Sequence, residues 1–221
     1  HERPAGPFRL HLVRDFRIIR RIPNIRSLMY LAFIQTFTYL GTSAIISVFA
    51  LQLLARQGIH SGPQVDYWVG VVTLAFTVAS AASVPVWGRL LDRFGPSRTL
   101  SVSLLAAALA SLPTALVQSP LQLCGARALL GLAAIGIGPS LLAIIKRYAP
   151  QGMESRVLAY AAAFGSLGIG GGPLIAGGIG PLLGLRTFFA LNSVLLLIGF
   201  GLWVRAVTRG AAADPWREAA P

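Results

Sequence analysis

The chain has 221 residues, of which 55% are hydrophobic and only 12% are charged, and its formal net charge is +12. In soluble domains roughly a quarter of all residues are charged. This composition, with a mean hydropathy of +0.69, therefore excludes an ordinary soluble domain and indicates a membrane protein. A basic nucleic-acid-binding domain would not contain such long uncharged runs. The single cysteine excludes a disulfide framework and a multi-cysteine metal site, and we expect neither metal nor cofactor.

Six stretches of the chain are long and apolar enough to cross a bilayer as helices, because one crossing needs roughly 20 apolar residues. In chain order we name them predicted helices A to F, and they cover residues 27–54, 67–87, 99–117, 122–145, 157–179 and 187–204. The sequence therefore predicts an all-α polytopic membrane protein. Its six-helix bundle, residues 27–205, lies between a basic segment, 1–26, and a C-terminal tail, 206–221.

Most of the basic residues lie on one side of the predicted membrane. All but Arg56, Arg127 and Arg186 precede helix A, join B to C, join D to E, or follow F. Cytoplasmic loops are enriched in Lys and Arg, so both termini are predicted to be cytoplasmic. We expect a multi-pass protein of the plasma membrane, which in bacteria is the inner membrane.

The loop between predicted helices B and C reads GRLLDRFGPSR at residues 88–98. Its glycines permit close helix approach and a tight turn, and its aspartate can pair with a nearby arginine. The stretch resembles the loop signature of the major facilitator superfamily, which follows the second helix of each six-helix half. A solvated loop that only fixes topology is the alternative. The resemblance implies a gating latch formed by Gly88, Asp92, Arg93, Gly95 and Arg98.

The resemblance extends along the whole predicted bundle. Residues 27–205 are similar to the C-terminal six-helix half of the multidrug-efflux, or drug/proton antiporter, branch, and residues 1–26 resemble the linker between halves. This similarity implies a 3+3 inverted repeat that pairs A-B-C with D-E-F, and alternating-access efflux of small amphipathic drug-like substrates. It also implies an N-terminal six-helix half as partner; a half-size protein that dimerises with a second copy is the alternative.

Predicted helix E contains the glycine-rich run GSLGIGGGPLIAGG at residues 165–178. Small residues permit close helix packing, and a proline removes one backbone donor and favours a kink. The run is similar to the Gly-Pro-rich helix of drug/proton antiporters. A packing helix without a gating role is the alternative. We expect close packing and a kink at Gly168, Gly172, Pro173 and Gly177.

Mildly polar side chains recur at helical spacing along one face of helices A and B. Such a face suits a cavity for amphipathic molecules, although hydroxyl groups in membrane helices often bond only to the backbone or to other helices. Arg127 is the charged residue that lies deepest in the predicted helices. It could contact a substrate or a carboxylate of the other half; the alternative is that its side chain extends to the outer membrane interface. The predicted cavity-lining residues are Gln35, Tyr39, Thr42, Thr73, Thr77, Arg127, Tyr160 and Phe164.

No predicted helix contains a central acid, lysine or histidine, and ion coupling normally requires a titratable group within the membrane. We therefore expect the coupling carboxylate to lie in the partner half. An intramembrane serine protease is the alternative from another class, but Ser140 would need a general base, and no histidine lies in a predicted helix. The sequence has no Gly-rich phosphate loop with lysine, which disfavours ATP-driven transport.

The latch hypothesis predicts the effect of Asp92→Asn. Removing the negative charge eliminates its ion pairs while leaving every predicted membrane span unchanged. We expect transport to fall while the amount of protein inserted in the membrane stays the same, measured as substrate flux and membrane abundance. Unchanged transport in the native polypeptide would contradict the latch.

Overall fold

The computed structural model of the chain describes residues 25–59, 63–149 and 152–208. The predicted terminal segments lie outside the described residues except for 25–26 and 206–208. Helices are the only regular elements in the described part, which confirms the all-α prediction. They are α1 (Ile25–Thr36) with a π-helical turn (Phe37–Gly41), α2 (Ser43–Ala55), α3 (Pro63–Leu116), α4 (Pro120–Ala134), α5 (Ile137–Tyr148), α6 (Glu154–Leu183) and α7 (Leu185–Thr208).

Several of these helices are suited to a bilayer. By length and hydropathy, four stretches of the described residues qualify as membrane spans: Pro63–Leu116, Pro120–Tyr148, Glu154–Ile175 and Leu185–Thr208. A fifth qualifies if Ile25–Gly41 and Ile45–Ala55, which meet at 42°, are counted as one bent span. The molecule is therefore an α-helical multi-pass membrane protein, and the count of six crossings stays a prediction.

Helix α3 is 54 residues long and contains one non-helical residue, Gly95, with φ 78° and ψ 163°. On either side of this glycine, Trp87 and Ser103 donate hydrogen bonds to the adjacent carbonyls of Leu132 and Ala133, at 2.7 and 2.8 Å. A straight helix would separate the two donors by about 24 Å, so the chain reverses at Gly95. The two limbs, 63–94 and 96–116, correspond to predicted helices B and C.

Predicted helix A is not continuous. The amide of Thr42 donates to the carbonyl of Phe37 at 3.0 Å, an i to i−5 bond that makes the preceding turn π-helical. The Thr42 hydroxyl donates to the Thr38 carbonyl at 2.7 Å, so this carbonyl also has a hydrogen-bond partner at the interruption. The expectation of one regular helix over residues 27–54 is therefore wrong, because the helix is interrupted between α1 and α2.

The buried apolar side chains form two clusters. One cluster joins α1, the second limb of α3, α4, α5, α6 and α7, and includes Leu28, Leu104, Leu130, Ile144, Ala161 and Leu196. The other is rich in aromatic residues and includes Phe37, Phe49, Val72, Leu123 and Phe188. Over its most apolar 18 residues, Pro120–Tyr148 is 61% buried, whereas Pro63–Leu116 is only 17% buried. Pro120–Tyr148 is the most enclosed of the four stretches, and we call it the central helix. The first limb of α3 presents much of its surface outward, while its second limb packs in the first cluster.

A row of glycines on α6 packs directly on the backbone of α1 and the π-helical turn. A Cβ atom at Gly168 would stand 2.5 Å from the Phe33 carbonyl oxygen, and one at Gly172 would overlap the backbone of Gly41. Only hydrogen fits at these two points, so both glycines lie at a close helix contact. We call the contact of Gly168 and Gly172 with α1 and the π-helical turn the glycine seam.

Two other predicted positions of α6 make no close contact in the described chain. No heavy atom of the described residues lies within 4 Å of a Cβ placed at Gly177, so no close packing occurs there within that part. Pro173 is exposed, and α6 is helical on both sides of it, from Glu154 to Leu183; a kink at Pro173 stays a prediction. The π-helical turn ends beside Gly172, at Gly41, and the close contacts of α6 end with it.

The glycine seam predicts different effects for two alanine substitutions on the same helix. Gly168→Ala places a methyl group against the Phe33 carbonyl and should destabilise the protein by about 1–3 kcal/mol through overpacking. Gly170→Ala adds a methyl group in open space and should be neutral or stabilising by up to about 1 kcal/mol through helix propensity. The midpoint of thermal unfolding in detergent measures both, and equal midpoints would contradict the seam.

Candidate functional site

The central helix is interrupted where α4 gives way to α5, at Ile135 and Gly136. In a continuous helix, the carbonyls of Leu132 and Ala133 would accept from amides four residues onward. Here they accept from the side chains of Trp87 and Ser103. The ring of Trp87 lies so close to Gly136 that a Cβ there would overlap it. The interruption is therefore stabilised by the two limbs of α3 that flank the predicted latch.

The latch residues lie at the turn between these limbs. Asp92, Arg93 and Arg98 are exposed, and within the described residues Asp92 forms no ion pair with either arginine. The turn itself is fixed, because Trp203 donates to the carbonyl of Ser97 at 3.2 Å. The expected ion pair within the loop is thus absent from the described part, and a latch to another bundle stays a prediction.

The two glycines of the predicted latch differ in role. Gly95 has a positive φ of 78°, a conformation that glycine adopts without strain, so it lies in the turn, and its part in a latch stays a prediction. The hydroxyl of Thr99 donates to the Gly95 carbonyl at 2.9 Å and holds the turn. At Gly88 no heavy atom lies within 4 Å of a built Cβ, so no close helix approach occurs there in the described chain.

Two predicted cavity residues, Tyr39 and Thr42, lie close to a third, Arg127, which is only 3% exposed. Its Nη1 atom donates to the Thr42 hydroxyl at 3.5 Å, and its Cζ atom lies 4.5 Å from the ring centroid of Phe76. The ring of Tyr39 packs edge-on against the same phenylalanine, with centroids 5.5 Å apart. We call Tyr39, Thr42, Phe76 and Arg127 the arginine cluster; the prediction that Arg127 reaches the outer interface is wrong.

Sequence reasoning missed Phe76, the residue that connects the cluster. It is apolar within an apolar helix, so composition gives no reason to select it. Its position between Thr73 and Thr77 was the available signal, because an aromatic residue there shares the polar face of the helix. Both threonines are exposed, and their hydroxyls donate to the carbonyls of Val69 and Thr73. The alternative of backbone bonding therefore holds for these hydroxyls, although they flank the cluster.

A separate cavity of about 280 Å³ lies between α1, α5 and α6. Its lining is mainly aliphatic, with Gln35, Thr36 and Ser166 as the polar members, so it suits the apolar part of a ligand. Gln35 lines this cavity, and its contact with a substrate stays a prediction. Tyr160 packs against the first core cluster, and Phe164 is 39% exposed; neither lines this cavity. The predicted site is divided between the cavity and the arginine cluster.

Neither metal nor protease chemistry is built from the described residues. Within 25–59, 63–149 and 152–208, no group of three or more His, Cys, Asp or Glu side chains is placed to hold a metal ion. Ser140 is fully buried, and its hydroxyl has no hydrogen-bond partner in that same part of the chain. The structure therefore gives Ser140 no general base from these residues.

The interrupted central helix predicts that Trp87→Phe destabilises the protein. Phenylalanine keeps the aromatic ring but leaves the Leu132 carbonyl without its donor, which should cost about 1–3 kcal/mol. Trp68→Phe is the matched control, because the Trp68 indole packs on Tyr67 and donates no hydrogen bond to the described residues. Thermal unfolding in detergent should show a lower midpoint for the first variant alone; equal midpoints would mean that the indole does not support the interruption.

Comparison with known proteins identifies the architecture. The family model of the Major Facilitator Superfamily matches residues 31–220. A multi-drug resistance efflux pump PmrA homolog from Lactococcus lactis subsp. lactis is 28% identical over 186 residues, which cover 84% of this chain and 45% of that protein. Multidrug resistance protein MdtG from a Rahnella species is 30% identical over 155 residues, which cover 69% of this chain and 38% of that protein.

A solved structure supports the same fold. A mutant of the peptide transporter POT in complex with alafosfalin matches with a TM-score of 0.72 at 18% identity, covering 88% of this chain and 42% of that one. The chain therefore spans less than half the length of the relatives it matches. From the family match over most of its residues and from its helical architecture, the chain belongs to the Major Facilitator Superfamily.

Proposed function

We propose that the chain forms one of two helical bundles of a secondary active transporter that exports small amphipathic molecules by alternating access. The observation that carries this proposal is the family match over residues 31–220, with relatives named as multidrug resistance proteins. The mainly aliphatic cavity between α1, α5 and α6 supports it, because such a surface accommodates the apolar part of varied molecules. On this proposal the chain is a transporter and not an enzyme.

The second bundle, in this proposal, is an N-terminal six-helix half of the same polypeptide. The chain covers 45% and 38% of the two relatives, which suits one half of such a transporter. Asp92 is exposed at the turn of α3, where its carboxylate is available to a second bundle as a latch. A second copy of the chain is the alternative partner, and the size of the native polypeptide distinguishes the two.

The driving force is proposed to be an ion gradient. Coupling requires a titratable group within the membrane, and of the described carboxylates Asp66 and Asp92 are exposed near the ends of limb 63–94, while Glu154 begins α6. We therefore place the coupling carboxylate in the partner bundle. The distribution of Lys and Arg supports a multi-pass protein with both termini in the cytoplasm, and the bacterial relatives support a place in a bacterial plasma membrane.

Efflux of a fluorescent amphipathic dye tests the proposal. Ethidium is loaded into cells that express the native polypeptide and into cells that lack it, and its loss is followed with and without a protonophore. Expression should accelerate dye loss by about tenfold, a rate ratio that corresponds to about 1.4 kcal/mol in barrier height, and the protonophore should abolish the difference. Equal loss from both cell types, repeated with a neutral dye, would contradict export.

The size of the polypeptide tests the choice of partner. An antibody against the tail AADPWREAAP, residues 212–221, is used to blot native membranes. A band near twice the 23.4 kDa of this chain supports an upstream half in the same polypeptide. A band at the mass of the chain itself would contradict it and would support a dimer of two copies.

A further inference from the structure

Unpartnered polar atoms are concentrated around one aromatic ring. Among the described residues, five buried side-chain atoms lack a hydrogen-bond partner, and they belong to Tyr39, Ser80, Thr114, Arg127 and Ser140. Tyr39 and Arg127 both contact the ring of Phe76. Ser80 lies one turn beyond Phe76, and a Cβ at Gly131, one turn beyond Arg127, would stand 2.9 Å from its hydroxyl. Three of the five atoms thus surround the point where α4 meets the first limb of α3.

The guanidinium of Arg127 has no negative partner in the described chain. Its one hydrogen bond, to Thr42, is long at 3.5 Å, and the Thr42 proton is given to the Thr38 carbonyl. The three carboxylates of the described residues lie elsewhere. Asp66 is exposed about 15 Å along the helix from Phe76, and Asp92 is exposed at the turn of α3. Glu154 accepts a hydrogen bond from the amide of Gly152. A charge buried in this way is costly unless an anion compensates it.

The chemistry of the unpartnered atoms matches a carboxylate. Arginine has donors and no acceptor, and the hydroxyls of Tyr39 and Ser80 each have a proton to donate. A carboxylate offers two oxygens that accept several hydrogen bonds, including the paired bonds of a guanidinium. An organic cation at this place would be repelled by Arg127 in surroundings of low dielectric constant, where like charges interact strongly.

The aromatic rings give the site a route to the surface. Phe76 and Tyr39 are half-buried, so the rings that pack around the guanidinium also reach the outside of the chain. Thr73 and Thr77, on either side of Phe76 in the sequence, are exposed. Phe76 is the ring stacked on the guanidinium, so its rotation would remove one of the side chains that cover Arg127 and would leave an aromatic ring beside it, where it can stack on an aromatic ligand.

From these observations we infer that the arginine cluster is a binding site for the carboxylate of a small amphipathic anion. Arg127 binds the carboxylate oxygens, the Tyr39 hydroxyl is available to donate to them, and Phe76 covers the site when it is empty. The inference rests on the proposed transport function and adds molecules that carry a carboxylate to its substrate class; cationic and neutral molecules would bind elsewhere, in the mainly aliphatic cavity. A carboxylate side chain of the polypeptide itself has the same chemistry, so the experiment must distinguish these two sources.

Salicylate and salicylamide distinguish a carboxylate from an uncharged amide on the same ring. Their dissociation constants are measured on the purified native polypeptide in detergent. We expect salicylate to bind at least about tenfold more tightly, the ratio expected for one charge-assisted hydrogen bond. Absence of this preference overturns the inference and points instead to a carboxylate of the polypeptide as the partner of Arg127.

Variants connect the preference to the site. In the Arg127→Gln variant, the dissociation constants of salicylate and salicylamide should be equal. Arg205→Gln, which removes the same charge from an exposed position on α7, should keep the full preference. A preference that survives in Arg127→Gln overturns the inference. The unfolding midpoint is measured for each variant, so that loss of binding is not confused with loss of folding.

A second variant tests the site if Arg127→Gln does not fold. Phe76→Leu keeps an apolar side chain but removes the ring that covers the guanidinium, so we expect salicylate to bind at least about threefold more tightly than it binds the unmodified protein. An unchanged or weaker affinity for salicylate overturns the inference. Ethidium efflux is measured for the unmodified protein as well as for the variants. If the unmodified protein exports no ethidium, the proposed function is contradicted, whereas salicylate binding tests the site independently of transport.

Discussion

The fold depends on satisfying backbone carbonyl groups where a membrane helix is interrupted. Lipid hydrocarbon offers no hydrogen-bond donor, so each interruption must find its partners inside the protein. Trp87 and Ser103 provide them for the carbonyls of Leu132 and Ala133. Because these donors lie on the two limbs of α3, the interruption of the central helix, the reversal at Gly95 and the latch sequence between the limbs form one structural unit. A movement at the turn must therefore be transmitted to the centre of the bundle or break these bonds.

The interruption between α1 and α2 connects the remaining features. On one side, the π-helical turn packs on the glycine seam through Gly41; at its end, Thr42 accepts a hydrogen bond from Arg127. The cavity begins only one turn away on α1, at Gln35 and Thr36. π-Helical turns are rare and are found frequently at functional sites. An anion that withdraws the guanidinium from Thr42 would therefore act directly on the bend of the helix that also lines the cavity.

Much of this fold could be predicted from hydropathy, but the interruptions could not. Long apolar runs identify the helices, and Gly95 within a charged turn identifies the reversal of α3. Residues 37–41 and 135–136 have ordinary compositions for membrane helices, and their shape depends on contacts with distant residues such as Gly168 and Trp87. The same limit applies to the site. Tyr39, Thr42 and Arg127 were selected because they are polar, whereas Phe76 was missed, because spacing alone does not reveal the neighbouring helix. For the same reason Gly177 was expected to pack closely, but it makes no close contact within the described chain.

The glycine seam also has a consequence for how the bundle can deform. Two surfaces that meet without intervening side chains have no rotamers with which to absorb a displacement, so α1 and the facing part of α6 must either travel together or separate completely. Partial separation would open a gap too narrow for a lipid chain, and the lost dispersion energy would not be recovered. We therefore expect the end of α1, the π-helical turn and the facing part of α6 to move as one unit.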